Sequence, residues 1–332
     1  MQHYDVYGIG NALVDTEYEV EDEFLAQAKL PKGIMTLIEE SDRQRLIKLL
    51  EQDNDNHAVK HAGGGSAANT MVVIAQLGGN AFYSCKVAAD STGDFFVSDL
   101  KAAGIATNLS EDREQGATGQ CISMVTPDAE RTMTTCLGIT NFLSTSELDP
   151  KALGDSKYLY IEGYLVSSVT GFQAALEAQR IAHENNVEVS LTLSDPAMVE
   201  NFKANYELLL SNGVDLLFCN LDEARLLTGS NTLDECIEAL KEIAPRFAIT
   251  CGKDGAVAFD GTNIVRSTGV PTVAVDTTGA GDIFAGAFLI QLSRGNPFKE
   301  ALQLANKAAS LLVSRFGARL TQAEVDVYLE QP

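Results

Sequence analysis

Between Asp276 and Leu289 the chain reads DTTGAGDIFAGAFL, glycines and two aspartates running into an apolar stretch. A helix that starts here exposes unpaired backbone N–H groups and the positive end of its dipole. Glycines at that point let an anion approach the backbone closely. Gly279, Ala280 and Gly281 then make a small anion cradle, with the carboxylate of Asp282 beside it. A carboxylate spoils a plain anion site. It makes sense as the acceptor of a proton from a hydroxyl that attacks the bound anion. Phosphoryl transfer needs that pairing, because its catalysis rests on positioning, charge neutralisation and a base for the nucleophile. Taken alone, the same residues read more readily as a helix cap with packing glycines.

The elements that must hold this cluster follow from the patterning. Tyr4 to Ile9 alternates and then meets Gly-x-Gly, a strand ending in a turn. A helix is expected over Ala67 to Leu77 and a strand over Ala81 to Val87. STGDFFVSDLKAAGI reads as a helix with a glycine stop, and GQCISMVTPDAERTMTTC as a hairpin about Pro127-Asp128. From Tyr158 onward strands and helices alternate, and long helices run from about Ala280 to the end. That order implies a mostly parallel sheet with helices on both faces. Residues 12–40 and 106–137 break the alternation and are expected to form a small β lid on a single domain spanning 1–332.

Composition narrows the function. With 45% hydrophobic and 21% charged residues, the 332-residue chain has material for a large core. Its net charge of -22 argues against unaided binding to nucleic acid or an anionic membrane. A polyphosphate substrate therefore requires local dipoles or a metal ion. Six scattered cysteines without a Cys-x-x-Cys pair read as buried, reduced thiols. His57 and His61 are spaced i, i+4, but the polar stretch around them offers no third ligand for zinc. The start has no signal-peptide pattern and no run of 18 apolar residues occurs, so a soluble, cytoplasmic protein is expected.

DTTGAGDIFAGAF resembles the C-terminal signature of the PfkB (ribokinase-like) family of carbohydrate and nucleoside kinases, and the resemblance extends over nearly the whole chain. It implies a three-layer α/β/α fold with a β lid, ATP and Mg²⁺ as cofactors, and transfer of a phosphoryl group to an alcohol. AGGGSAANTMVVIAQLG is similar to the family's first signature, which implies that Gly64 and Gly65 approach a sugar and that Asn69 bonds a hydroxyl. GIGNALVD, with Asn11 and Asp15, resembles the first substrate loop, where the aspartate accepts from vicinal hydroxyls. Asn220 and Glu223 in NLDEARLLTG match an arrangement that helps hold Mg²⁺ and phosphate, largely through water. ITCGKDGAVAF implies a nucleotide loop with Thr250, Gly252 and Gly255, and Lys253 as a further phosphate contact. LANKAASLLVSRFGA implies that Asn306 stands beside the adenine. Asp276 and Thr278 match residues that hold a monovalent cation, K⁺, in many members. Arg131, on the lid hairpin, matches an arginine that swings over the transferring phosphoryl group in nucleoside kinases; a surface hairpin charge is the equal alternative.

Three stretches lean toward the adenosine-kinase side of the family. GNALVD is one, and LPKGIMTLIEE, similar to the lid entry of bacterial members, is another. In LTLSDPAMV, Ser194-Asp195-Pro196 stands where sugar kinases carry Asp-x-Asn-x-Arg. None of these residues reads a base, so ribose, fructose and 2-keto-3-deoxygluconate remain open as acceptors. A dinucleotide-dependent oxidoreductase is suggested by Gly8-x-Gly10, but Leu13 takes the place of the fingerprint's third glycine. A non-catalytic sugar-sensing relative conflicts with intact Asp282, Gly279, Gly281, Asn220 and Glu223. The family resemblance also implies a homodimer paired through the lid.

Overall fold

The computed structural model describes residues 4–52, 58–128 and 130–328. His57, half of the spaced histidine pair, lies outside them; His61 bonds the Thr16 hydroxyl at 3.1 Å. The chain runs β1 (Tyr4–Ile9), β2 (Leu13–Glu19), α1 (Asp22–Ala28), β3 (Met35–Leu37), α2 (Glu40–Gln52), β4 (Ala58–Gly64), α3 (Ser66–Gln76), β5 (Ala81–Ser84) and α4 (Ser91–Ala102). It continues β6 (Gly119–Val125), β7 (Arg131–Cys136), α5 (Pro150–Gly154), β8 (Ser156–Ile161), α6 (Val169–Glu184), β9 (Glu188–Thr192), α7 (Pro196–Ser211) and β10 (Leu216–Asn220). Then come α8 (Leu221–Thr228), α9 (Leu233–Lys241), β11 (Phe247–Thr250), β12 (Ala256–Phe259), β13 (Ile264–Ser267), α10 (Ala280–Ser293), α11 (Phe298–Val313) and α12 (Gln322–Tyr328).

Two sheets form. The large one has the order β13-β12-β11-β10-β9-β8-β1-β5, parallel from β11 through β5 and antiparallel at the β12 and β13 edge. Its central strands are buried on both faces, as the apolar runs YLYI and LLFC require. Helices α3, α10 and α11 pack together on one side, and α5, α6, α7 and α8 make the other layer. The sequence expectation of a strand over Ala81 to Val87 is shortened at its end, since β5 stops at Ser84.

The small sheet has the order β3-β7-β6-β2-β4. Strand β4 lies in neither segment expected to supply it. Here the period of two decides everything. Thr16, Ile122 and Met124 turn to one face, where the two apolar residues join Phe24, Leu25, Leu46 and Leu50 of α1 and α2 in a second core. Asp15, Cys121 and Thr135 sit side by side across β2, β6 and β7 and turn to the other face, toward the large domain.

Helix α10 is buried from Ile283 through Ile290, apolar all round as a helix between layers must be. A side chain at Gly286 would overlap Val73 and stand 2.7 Å from the Thr70 carbonyl oxygen. This close approach sets α10 against α3.

Candidate active site

A cleft of 1270 Å³ opens between the two sheets. Single-ligand pockets run to roughly 1,000 Å³, so there is room for two substrates. Its large-domain wall is made at the carboxyl ends of parallel strands. Asn11 follows β1, Glu162 follows β8, Ser194 follows β9, and Asn220 and Thr250 end β10 and β11. Strand β1 has β5 on one side and β8 on the other, so the order reverses at β1/β8, where ligand crevices form in open α/β sheets.

At the floor, Gly279 precedes α10 with φ +78° and no side-chain cap. A Cβ there would also stand 2.7 Å from the Ala318 carbonyl oxygen, so glycine is required twice over. Gly281 is different: no protein atom lies within 4 Å of where its Cβ would be, and the residue lines the cleft. Packing does not explain that glycine, whereas close approach of a ligand to the first turn does. Asp282, one residue on, accepts from Ser66 Oγ at 2.7 Å and from Asn69 Nδ2 at 2.9 Å. Burial raises its carboxyl above the ordinary aspartate range, against the pull of those two bonds and the Arg319 charge. The sequence motif alone did not point to Ser66 or Arg319.

The residues read as substrate contacts are together, with altered partners. Asp15 lines the cleft, and Gly64, itself not among the lining residues, leaves it room: a Cβ at 64 would stand 2.5 Å from the carboxylate. At Gly65, φ is +96° and a side chain would overlap the Asn11 carbonyl oxygen. Asn11 donates its amide to Glu162 Oε1 at 2.9 Å and its backbone N–H to the same atom at 3.1 Å. Asn69 is engaged at both ends, by Asp282 and by Arg319. Its amide therefore orients the Asp282 carboxylate.

Glu162 was not anticipated, since a single glutamate after a strand carries no spacing signal. It is 1% exposed and its other oxygen accepts the Ala67 N–H at 2.8 Å. Burial pushes its carboxyl up to about 7, the three hydrogen bonds oppose this, and the Asp282 charge adds to it.

Toward the ends of β10 and β11, Asn220 and Glu223 form a reciprocal cap on α8. Glu223 N–H donates to Asn220 Oδ1 at 2.8 Å, and Asn220 N–H to Glu223 Oε2 at 2.9 Å. The acidic helix-start reading is therefore satisfied in full. The chemistry also suits a hydrated cation. Burial, then the charges of Asp195 and Asp222, raise the Glu223 carboxyl to about 7 despite the Asn220 bond. A divalent ion would relieve that repulsion, and one carboxylate with waters is what Mg²⁺ accepts. Thr250 and Gly252 line the cleft, and no protein atom crowds Gly252. Gly255, Lys253 and Asn306 are not among the described lining residues. A side chain at Gly255 would overlap the Ser267 carbonyl oxygen, and Asn306 Nδ2 donates to that same oxygen at 3.2 Å. They shape the strand turn behind the cleft.

Arg131 donates Nη1 to Asp276 Oδ2 at 2.7 Å, pairs with Glu17, and lies 5.0 Å over the Phe316 ring. Asp276 also accepts from Gly317 N at 2.9 Å, Thr278 N at 3.0 Å and Thr278 Oγ1 at 2.7 Å. Burial works to raise this carboxyl, but those bonds and the arginine charge hold it below the usual range. Three donors and a guanidinium already satisfy it, so the arrangement does not fit a monovalent cation on Asp276. Among the described residues no group of three or more His, Cys, Asp or Glu is placed to hold a metal by itself. All six cysteines are unpaired, four of them buried. No described helix is long and apolar enough to cross a membrane.

The family model described as pfkB family carbohydrate kinase matches residues 33–324. Among solved structures, a probable sugar kinase from Rhizobium etli is 32% identical with a TM-score of 0.86, covering 99% of this chain and 100% of that one. The adenosine kinase from Sinorhizobium meliloti is 34% identical with a TM-score of 0.85, covering 97% and 98%. In sequence, adenosine kinase 2 of Arabidopsis thaliana is 26% identical over 95% of this chain and 96% of its own length.

Proposed function

The chain belongs to the pfkB family of carbohydrate kinases, ATP-using phosphotransferases that act on hydroxyl groups, and we propose that its acceptor is an adenosine-like nucleoside with Asp282 as the base. One observation carries the reading: a carboxylate of raised basicity stands in the first turn of α10, one residue past a glycine that nothing in the protein crowds. The free N–H groups of that turn receive the transferring phosphoryl group, and Asp282 takes the acceptor's proton. Ser66 and Asn69 aim the carboxylate. Asp15 accepts from the sugar hydroxyls, and Arg131, on the lid side of the cleft, supplies positive charge toward the transferring phosphoryl group. Glu223, with Asn220, holds Mg²⁺ through water, and the ion when bound neutralises phosphate charge.

A nucleoside is favoured over a bare sugar by the lid face of the cleft. Met35, Leu37, Met133 and Leu137 line it, and Met35 and Leu37 are among the most exposed large apolar side chains described. Four such residues suit the flat face of a base and waste their contact on a sugar alone. Similarity to the S. meliloti adenosine kinase points the same way. The sugar-kinase alternative is kept alive by the equally similar R. etli probable sugar kinase.

The test is an ATP-coupled screen over adenosine, inosine, guanosine, ribose, fructose and 2-keto-3-deoxygluconate, run on the parent and on Asp282→Asn. ADP should appear fastest with a purine nucleoside. The Asn variant should lose about 100-fold or more in kcat, the size of a general-base effect, with little change in acceptor KM. Preference for a sugar overturns the nucleoside reading, and a near-normal Asn variant removes Asp282 as the base.

A further inference from the structure

Asp282 is aimed by an amide, and that amide is itself aimed. Arg319 Nε donates to Asn69 Oδ1 at 2.8 Å, while Asn69 Nδ2 donates to Asp282 Oδ2 at 2.9 Å. A guanidinium only donates and a carboxylate only accepts, so the Asn69 amide has one orientation available. The far side of Arg319 is fixed in turn by Asp99 Oδ2, 2.6 Å from Nη1. We propose that Arg319 is a positioning residue for the phosphoryl-transfer base, setting the Asn69 amide and the ionisation of Asp282 through an Asp99–Arg319–Asn69–Asp282 relay. This rests on the kinase reading for its catalytic consequence, though not for its electrostatic one.

A second observation supports the relay independently. Gly63, the first glycine of Gly63-Gly64-Gly65, has no family role assigned above. A Cβ there would overlap Asp99 Oδ2 and come within 3.1 Å of Arg319 Nη1. The strand is bare at that point because the ion pair lies against it. Arg319 Nη2 is buried without a protein acceptor. Its charge is thus balanced on one side by Asp99 alone, and its field reaches Asp282. The other titratable groups near Asp282 are Glu162 at the end of β8 and the buried tyrosines Tyr83, Tyr160 and Tyr164. None of these is cationic, so Arg319 is the charged group that favours the ionised base, beside the hydrogen bonds from Ser66 and Asn69.

The experiment compares the parent with Arg319→Met, Arg319→Lys, Asn69→Ala and the Met/Ala double variant. Two readouts are taken: the pH dependence of kcat with ATP and the best acceptor of the screen, and the Asp282 carboxyl titration by ¹³C NMR on aspartate-labelled protein, assigned with Asp282→Asn. In Arg319→Met the acid limb of kcat and the NMR midpoint should both move up by about half a pH unit or more. Its kcat should fall about tenfold or more, with acceptor KM changed much less. Arg319→Lys keeps the charge, so its midpoint should return toward the parent's. One ammonium cannot meet both Asn69 and Asp99 as a fork does, so its kcat should stay intermediate. The double variant should be little worse than Asn69→Ala, because both act through one amide. An Asp282 midpoint in Arg319→Met that overlays the parent's overturns the proposal, as does full additivity in the cycle. If Arg319→Met does not fold, the Lys variant carries the same cycle with Asn69→Ala. If the parent makes no ADP with any acceptor, the kinase reading fails while the NMR titration still decides the role of Arg319.

Discussion

Arg131 of β7 and Asp276, which precedes the anion cradle, are joined across the cleft by a 2.7 Å ion pair. The small sheet is therefore tied to the large domain by a charge that sits beside the proposed phosphoryl site. Removing it does two things at once. The cleft loses a cation, and Asp276 keeps only its bonds from Gly317 and Thr278. Arg131→Ala should lower kcat on the order of 100-fold, as loss of one transition-state charge does. The vacated carboxylate and the Thr278 hydroxyl then become ligands for a monovalent cation. K⁺ should stimulate the variant and leave the parent nearly unaffected, in a titration against choline chloride at constant ionic strength. Equal stimulation of both would show that Arg131 does not do the cation's work at Asp276.

The approach of α3 to α10 fixes the distance from Asn69 to Asp282, and Gly286 permits that approach. Gly286→Ala gains up to about 1 kcal/mol of helix propensity. Against this it drives a methyl into Val73 and toward the Thr70 carbonyl oxygen, an overpacking that costs about 1–3 kcal/mol. The steric term wins, so urea unfolding should show net destabilisation. Because Thr70 Oγ1 also donates to the Asp282 carbonyl oxygen, the strain falls on the base, and kcat should drop further than stability alone explains. A variant as stable and as active as the parent would mean that the helices part at no cost.

What the sequence disclosed and what it hid divide along chain distance. The Gly279–Asp282 turn was legible because its parts are adjacent and the physics of a helix mouth is local. The lid hairpin was legible because period-two alternation survives in β6 and β7. Strand β4 was missed since HAVKHAGG is polar and glycine-ended; its place comes from pairing with β2. Strand β13 was missed because IVRS is short and shows no alternation; among the described residues it pairs with β12. Ser66 reaches Asp282 across 216 positions and Arg319 reaches Asn69 across 250, so no spacing rule could have joined them. The cation site inferred for Asp276 and Thr278 came from likeness of motif, which does not encode that an arginine 145 residues earlier would arrive there first.

Glu162 gives a pH signature in stability. Its folded carboxyl titrates at about 7 against 4.5 for the unbound value, so between those pH values the folded state holds the extra proton. Stability from this group is therefore greatest below pH 4.5 and is lost as pH rises to about 7, after which the cost of the buried charge is constant. Other carboxylates, held below their usual range, work in the opposite sense at acid pH, so a difference measurement is needed. Glu162→Gln removes the titration and forces an amide N–H toward a backbone donor, Asn11 or Ala67, which destabilises at every pH. The gap between parent and variant should be widest at pH 4.5 and below and should narrow by on the order of a few kcal/mol toward pH 8. Urea unfolding at four pH values measures it. A gap independent of pH would place the Glu162 titration in the ordinary carboxylate range.

Asp15 tests the acceptor's identity from the lid side. It lines the cleft in the row with Cys121 and Thr135, beside the glycine that leaves its carboxylate room. A site built to accept hydrogen bonds from hydroxyls penalises their removal heavily, since the analogue displaces water from the acceptor and returns no donor to it. With a ribonucleoside acceptor, the 2′-deoxy analogue should lose on the order of 100-fold in kcat/KM on the parent. On Asp15→Ala both compounds should be poor and the gap between them should shrink to a few-fold, because the group that distinguished them is gone. Steady-state kinetics of both acceptors on both proteins close the cycle and isolate the contact from any general loss of activity. If Asp15→Ala keeps the parent's full preference for the ribonucleoside, Asp15 does not read those hydroxyls. The sugar would then have to lie deeper, against Asn11 and Glu162, with the apolar lid face left to hold the base.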